Sequence, residues 1–500
     1  MTYSNWTRLL LTSVLVEVDD ELRQTMDSLL RQIVKTVITF LRNEVSPASS
    51  LRFEVSLDQV LRDLGRIVTE WTYNHVEADD PRWLPHDVHF NSGGYRRLNH
   101  KTPNRNVATL FGKITLWRFG YRDWQREGGE PMLFPLERQL GLVGGASAAL
   151  ASAVGRYLAE AGATQDVVLG RLRREHGVEW GTKKLREVSA HLADAMQPFC
   201  RPFQAAKVLA WLKQAFDGKG NRRPVLSVGR DGITLGMQPG SAFEVATSAT
   251  MTVYDRQGKR LRTIYLAQSP ELGQQTISDE LTALIAEVLS RWAGPTPRLC
   301  YVTDAGDNET AYYRKVLRPM RHPQSGERLD WRWVVDYYHA SQRITVLAEA
   351  LFGQTRAAES WARRMRKLLL KPNGPSRVLH AAAAMRSRRG VIAHRRRDYK
   401  RAYEYLRQRT KHMQYWEYRR RHLPIGSGVT EAACKTVFSQ RLKLSGMRWK
   451  HEGAGIVLTL RVILLSGIWE EVYAAALQSY ATLPVRTHEV FHARTLAIAA

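Results

Sequence analysis

Three acidic residues stand where an acid is costly unless it serves a purpose. Asp231 sits inside the apolar run VLSVGRDGITL, a mid-strand place that β-propensity and desolvation both disfavour. Asp304 ends a second apolar run, RLCYVTD, which puts it on the same sheet beside the first strand. Glu431 follows the turn PIGSGVT and leads into EAACKTVFSQRL. It therefore falls in the first turn of a helix, where a carboxylate is favoured and where Thr430 or Ser427 can cap. Convergent carboxylates suit Mg²⁺ or Mn²⁺, which prefer oxygen ligands and water. Two such ions about 4 Å apart can activate an oxygen nucleophile and neutralise the charge of phosphodiester cleavage and transfer. Any one of the acids alone reads as a turn or capping group; the force of the pattern lies in the three together.

Asp336 competes with Asp304 for the place of second ligand. It ends the run WRWVVD and is followed by Tyr337, Tyr338 and His339. Asp304 is preferred because its strand is expected to be central, with Asp307 facing the following helix. His339, at a helix start, reads either as a packing and hydrogen-bonding residue or, beside a phosphate, as a donor to a nonbridging oxygen.

The elements that must position these residues follow from periodicity. PVLSVGRDGITLGM, FEVATSATMTVYD and KRLRTIYLAQ are three β-rich runs separated by turns at Gln238–Gly240 and Arg256–Gly258, and adjacent antiparallel strands are the simplest solution. An amphipathic helix (TISDELTALIAEVLSRWAG), a buried strand, a helix (ETAYYRKVL) and a strand running into a helix (WRWVVDYYHASQRITVLAEALFG) complete the series. The order β, β, β, α, β, α, β, α is that of the ribonuclease H-like fold, and a doubly wound parallel sheet would not open with three strands lacking helices between them.

At these residues a resemblance becomes usable. GRDG, VTDAGDNE, DYYHA and IGSGVTEAACK resemble motifs of bacterial insertion-sequence DDE transposases of the Mutator-like superfamily, from about Val225 to about Arg461, with weaker likeness in TLFGKITLWRFGYRD and PLERQLGL. The resemblance implies that Asp231, Asp304 and Glu431 are the three catalytic, metal-binding acids. It makes Asp336 and His339 an acid-x-x-His signature, and the helical segment between Asp336 and Glu431 an insertion domain. It also implies cleavage and strand transfer with two Mg²⁺ or Mn²⁺ ions, double-stranded DNA as partner (terminal inverted repeats and target), and a homo-oligomer of at least two copies. Relatives often carry a Cys pair near the small β element; FGYRDWQREGGEP has none, so no zinc module is expected. The alternatives are a ribonuclease H-like nuclease or resolvase that cuts without joining, and a domesticated DNA-binding protein that kept the fold.

Composition agrees with a polyanionic partner. Lys and Arg total 74 against 48 Asp and Glu, a formal charge of +26, which draws in nucleic acid. A membrane-surface protein would share the charge, but no anchor or lipid-facing segment is found. The three cysteines are odd in number and far apart, giving neither a disulfide framework nor a CxxC site. The N-terminal apolar run is broken by Glu17, Asp19 and Asp20, and IVLTLRVILLSGI (456–468) is short and carries Arg461, so a cytoplasmic protein is expected and the second run reads as a buried core helix.

The expected fold is mixed α+β: a ribonuclease H-like catalytic domain interrupted by an all-α insertion and preceded by a helical DNA-binding region. Residues 1–140 read as a helical N-terminal region with a small β hairpin. Residues 141–215 read as three short helices, the last opening with Thr182, Lys183 and Lys184 like a helix-turn-helix unit. The core occupies 216–353, the insertion 354–421 and the closing helices 422–475, with a tail over 476–500. The insertion holds 21 Lys and Arg against 4 Asp and Glu, and its aromatics read mainly as packing. Lys183, Lys184, Arg395, Arg396, Arg397, Arg441, Lys443 and Arg448 are the candidate DNA contacts.

Overall fold

The computed structural model describes residues 20–90, 93–124, 132–240, 243–480 and 485–486. The N-terminal run before Asp20 and most of the tail lie outside these. The chain forms two compact units, one drawn from residues up to 157, 164–195 and 474 onward, the other from 158–163 and 196–473.

In the first unit, α1 (Asp20–Arg42) and α2 (Pro47–Asn74) form a helical pair. Pro47 at the first helical position and the reciprocal Ser46–Ser49 capping box start α2 sharply. A five-stranded sheet follows in the order β10-β1-β2-β3-β4, with β1 Asp87–Phe90, β2 Gly93–Thr109, β3 Gly112–Asp123, β4 Met132–Leu133 and β10 Val485–Arg486. The expected hairpin is β2–β3, here part of a five-stranded sheet. The tail contributes β10, antiparallel to β1, a pairing that two residues could not announce. α3 (Pro135–Gln139), α4 (Ala148–Ala159) and α5 (Gln165–His176) come next.

α6 (Thr182–Asp217) begins at the expected Thr182 but does not stop near residue 198: it runs through Pro198 and Pro202 for 36 residues. Each proline removes a helical hydrogen bond. Burial at helical spacing offsets that loss, with Leu185, Val188, Leu192 and Met196 before the prolines and Ala205, Val208, Leu212 and Ala215 after them.

The second unit is built on a sheet of order β7-β6-β5-β8-β9, made from β5 (Val225–Gly236), β6 (Phe243–Tyr254), β7 (Arg260–Gln268), β8 (Arg298–Thr303) and β9 (Trp331–Val335). β5, β6 and β7 are antiparallel neighbours, whereas β8 is parallel to both β5 and β9. α7 (Gln275–Arg291), α8 (Asp307–Tyr312) and α9 (Tyr337–Phe352) alternate with the later strands, so the element order is the one read from sequence.

The insertion is helical throughout its regular elements: α10 (Arg356–Leu369), α11 (Gly374–Arg389), α12 (Arg396–Arg409) and α13 (Tyr415–Arg420). It does not carry a separate core. Trp361, Tyr399, Tyr415 and Tyr418 are buried in the same apolar cluster as β5, β8, β9 and the second half of α6, so these aromatics pack. A second cluster joins Leu235, Met237 and Ala246 to Val437 and Phe438 after α14 (Gly428–Ala433) and to α15 (His451–Leu465). α15 is the buried helix expected from its apolar run. α16 (Trp469–Tyr480) closes the helical series. Among the described residues no helix is long and apolar enough to cross a membrane.

Candidate metal centre

Strand register brings the acids level. β5 pairs with β8 from Val225↔Arg298 to Val228↔Tyr301, and β8 with β9 from Leu299↔Trp331 to Thr303↔Val335. Carried on at the same offsets, Asp231 falls opposite Asp304 and Asp304 opposite Asp336, on strands about 4.8 Å apart.

Glu431 reaches this row from α14, which packs tightly on the sheet. Thr430 Oγ1 lies 2.9 Å from Thr250 Oγ1 on β6, and Cys434 Sγ lies 3.1 Å from Ser248 Oγ. Gly229 makes the approach possible, because a Cβ there would overlap the Thr430 hydroxyl and come within 3.0 Å of the Val302 carbonyl. Ser427 holds the N-cap position but makes no side-chain cap to the helix; its hydroxyl donates instead to Glu431 Oε1 at 2.9 Å.

Electrostatics record the crowding. Burial, with Asp304 and Glu431 as like-charged neighbours, pushes the Asp231 carboxyl up to about 6 against hydrogen bonds from Cys434 and the Gly232 amide. Burial also pushes the Cys434 thiol up, so it remains a thiol able to donate to Asp231. Glu309, on α8, is buried, and burial together with Asp304 and Asp231 raises its pKa as well.

Asp336 is of a different kind. It is fully buried, accepts the His339 amide at 2.8 Å on Oδ1 and the Ser427 amide on Oδ2, and so ties the start of α9 to the turn before α14. Burial works against its charge, but the hydrogen bonds from His339 and Ser427 prevail and hold its carboxyl below the usual range. The His339 imidazole is pushed up, first by Asp336 and then, against burial, by the charges of Asp304 and Glu431. Its Nδ1 is buried, lies 3.5 Å from both Asp336 Oδ1 and Glu431 Oε1, and makes no hydrogen bond of its own. Ligand atoms of Asp336, His339 and Glu431 lie within 4.8 Å of one another. A buried nitrogen between two carboxylates could join them in holding a metal ion only as a neutral imidazole; protonated, it offsets the like charges of the acids around it.

No protein-family model matches the chain, and no curated protein matches it.

The insertion helps to position the centre. Tyr405 on α12 donates its hydroxyl to the Asp304 carbonyl at 2.6 Å, and Arg409 donates to the Ala305 carbonyl at 2.9 Å. Together they hold the turn after β8, where Ala305 takes the left-handed φ of +63°, a conformation found at sites where a fold enforces it. Sequence reasoning missed Tyr405, Arg409, Glu309 and Cys434. A clue lay in TDAGD, where an acid is followed by a small residue and a glycine. Asp307 is exposed at the start of α8.

Lys183, Arg396, Arg397, Lys443 and Arg448 are exposed, Arg395 is half-buried, and Lys184 pairs with Glu187 at 3.0 Å. Arg448 also donates to the Gly240 carbonyl at 2.6 Å. Arg441 corrects the reading made from sequence: it is only 1% exposed and its Nε donates to the Leu158 carbonyl at 2.7 Å. A guanidinium spent inside the fold cannot meet a DNA backbone.

Proposed function

We propose that the chain is a DDE transposase of the Mutator-like kind, with a ribonuclease H-like catalytic core that cuts and joins DNA at the ends of an insertion sequence. The observation that carries this reading is the row Asp231, Asp304 and Asp336 across three neighbouring strands with Glu431 arriving from a helix above it. The order of strands and helices and the basic insertion support it.

In this reading Asp231, Asp304 and Glu431 hold two Mg²⁺ or Mn²⁺ ions, which supply activation of the attacking oxygen and neutralisation of charge at the scissile phosphate. Asp304 is preferred to Asp336 because both Asp336 oxygens already accept backbone amides, which makes Asp336 a positioning residue. Ser427 orients Glu431 through its hydroxyl. His339, whose imidazole Asp336 pushes up, donates to a nonbridging phosphate oxygen. Arg396, Arg397, Lys443 and Arg448 bind the DNA backbone without reading its sequence. Two copies working on paired ends complete the proposal.

The test is Mg²⁺-dependent cleavage and joining of labelled DNA carrying the sequences that flank the coding region, comparing the native chain with Glu431→Gln. The native chain is expected to cut and join, and the variant to bind without cutting. Cutting without joining would favour the nuclease, and binding without cutting by both proteins would favour the domesticated DNA-binding protein.

A further inference from the structure

The acids occupy one end of the central strands; arginines gather at the other. Around the first residues of β8 lies a cavity of about 600 Å³ lined by Arg222, Arg223, Arg298, Arg328, Arg332 and Arg421. β8 runs from Arg298 to Thr303 and Asp304 follows it, so Arg298 and Asp304 lie about 20 Å apart at the rise of a strand, and one phosphate cannot serve both places. The cavity is a feature separate from the acid row.

What holds these guanidiniums leaves their charge intact. Arg222 donates to the Arg420 carbonyl, Arg223 to the Thr296 carbonyl at 3.5 Å, and Arg328 to the Arg318 carbonyl at 3.1 Å. Arg298 donates to the carbonyls of Arg223, at 2.8 Å, and Arg421. A carbonyl fixes the direction of a guanidinium but does not neutralise it. Two acids, Glu327 and Asp330, also line the cavity. Among the described residues the ion pairs made by the six arginines are Arg332 with Asp330, at a loose 4.0 Å, and Arg421 with Glu417 at 2.9 Å.

The cost collects at Arg298. Its Nη2 is buried without a hydrogen-bond partner, and burial, with the like charges of Arg222, Arg421 and Arg223, lowers its pKa. Six converging cations with too few anions to match them are unfavourable in the empty protein and already organised for a ligand of opposite charge. Arginine forks match phosphate oxygens in pairs, and a cavity of this volume is within the range that takes a whole small ligand.

We propose that this cavity is a second phosphate-binding site, taking a run of linked phosphates supplied either by a nucleic-acid backbone or by a free polyphosphate. The site does not rest on the transposase reading, since a chain with no catalytic activity would carry it equally.

The experiment uses the full chain without divalent ions and two probes, sodium tripolyphosphate measured by calorimetry and a short DNA duplex measured across about 50–200 mM salt. The variant is Arg223→Gln with Arg328→Gln and Arg421→Gln, three exposed positions whose change leaves the core alone. The matching triple lysine variant keeps the charge and removes the fork. Tripolyphosphate binding is expected to weaken about tenfold or more in the glutamine variant and to recover in part with lysine. If nucleic acid is the source, the slope of log affinity against log salt for the duplex also falls by about 2 to 3; an unchanged slope with lost tripolyphosphate binding identifies a free polyphosphate. Glu431→Gln should bind tripolyphosphate like the native chain, which separates this site from the metal centre. The proposal is overturned if the folded glutamine variant binds both probes as the native chain does.

Discussion

Asp231 bears most of the cost of bringing the acids together. Its carboxyl titrates near 6 instead of 3.8 because burial and two like-charged neighbours disfavour the ionised form. The native protein keeps that proton between roughly pH 4 and 6 where the unfolded chain has lost it, so the native state binds more protons in this window and metal-free stability falls as pH rises through it. A two-unit shift corresponds to about 3 kcal/mol. In chelator at pH 8, Asp231→Asn is therefore expected to be more stable than the native chain by about 1 to 3 kcal/mol in urea unfolding, while its Mn²⁺ affinity falls. Equal or lower stability would remove the like-charge account. Asp231 and Asp304 were legible in the sequence because an acid inside or ending an apolar strand is conspicuous. Asp336 was legible as an acid but not as a support, since its partner amide at Ser427 lies 91 residues away.

The elements around the centre act as clamps, and each can be loosened. Gly229→Ala inserts a methyl group where α14 meets β5. It is expected to cost about 1 to 3 kcal/mol of stability and, by lifting Glu431, to reduce the cleavage rate by tenfold to about a hundredfold. Tyr405→Phe removes one hydroxyl from the Asp304 carbonyl. Thermal unfolding should register a loss of about 1 kcal/mol, and kcat should fall about tenfold with little change in DNA affinity; a stability loss with unchanged kcat would make Tyr405 merely structural. Local alternation and apolar runs made the sheet and its helices readable. The grip of α12 on the turn after β8 was not readable, because contact across 101 residues leaves no mark on either segment. The length of α6 escaped for the opposite reason: Pro198 and Pro202 are strong local stop signals, and the burial that overrides them is tertiary.

Over the whole molecule, charge is unevenly spent. Counting residues treats every arginine as a surface cation, yet Arg441 and Arg461 are buried, donate to backbone carbonyls, and have pKa values that burial lowers to about 10. Under the proposed function, exposed Arg396 and Arg397 of the insertion, with Lys443 and Arg448, are the cations left to meet DNA. Arg396→Gln with Arg397→Gln is expected to lower the salt slope of duplex binding by about 2 while leaving the fold intact, as read by fluorescence anisotropy. The buried cluster of the sheet also reaches back before residue 216, where the change to β-rich runs put the start of the core: Ala205, Val208, Leu212 and Ala215 of α6 belong to it. A fragment spanning 216–475 should consequently unfold at much lower temperature than the full chain, whereas cooperative unfolding of that fragment at the native temperature would show α6 to be dispensable.

The most direct measurement of the central claim is a change of metal preference at Asp304. Asp304→Cys replaces an oxygen ligand with a softer sulfur one that Mg²⁺ binds poorly and Mn²⁺ tolerates better. DNA cleavage by the variant is expected to vanish in Mg²⁺ and to return, at least in part, in Mn²⁺, while the native chain cuts with both. A variant that still cuts in Mg²⁺ as the native chain does would contradict the assignment of Asp304 as a metal ligand.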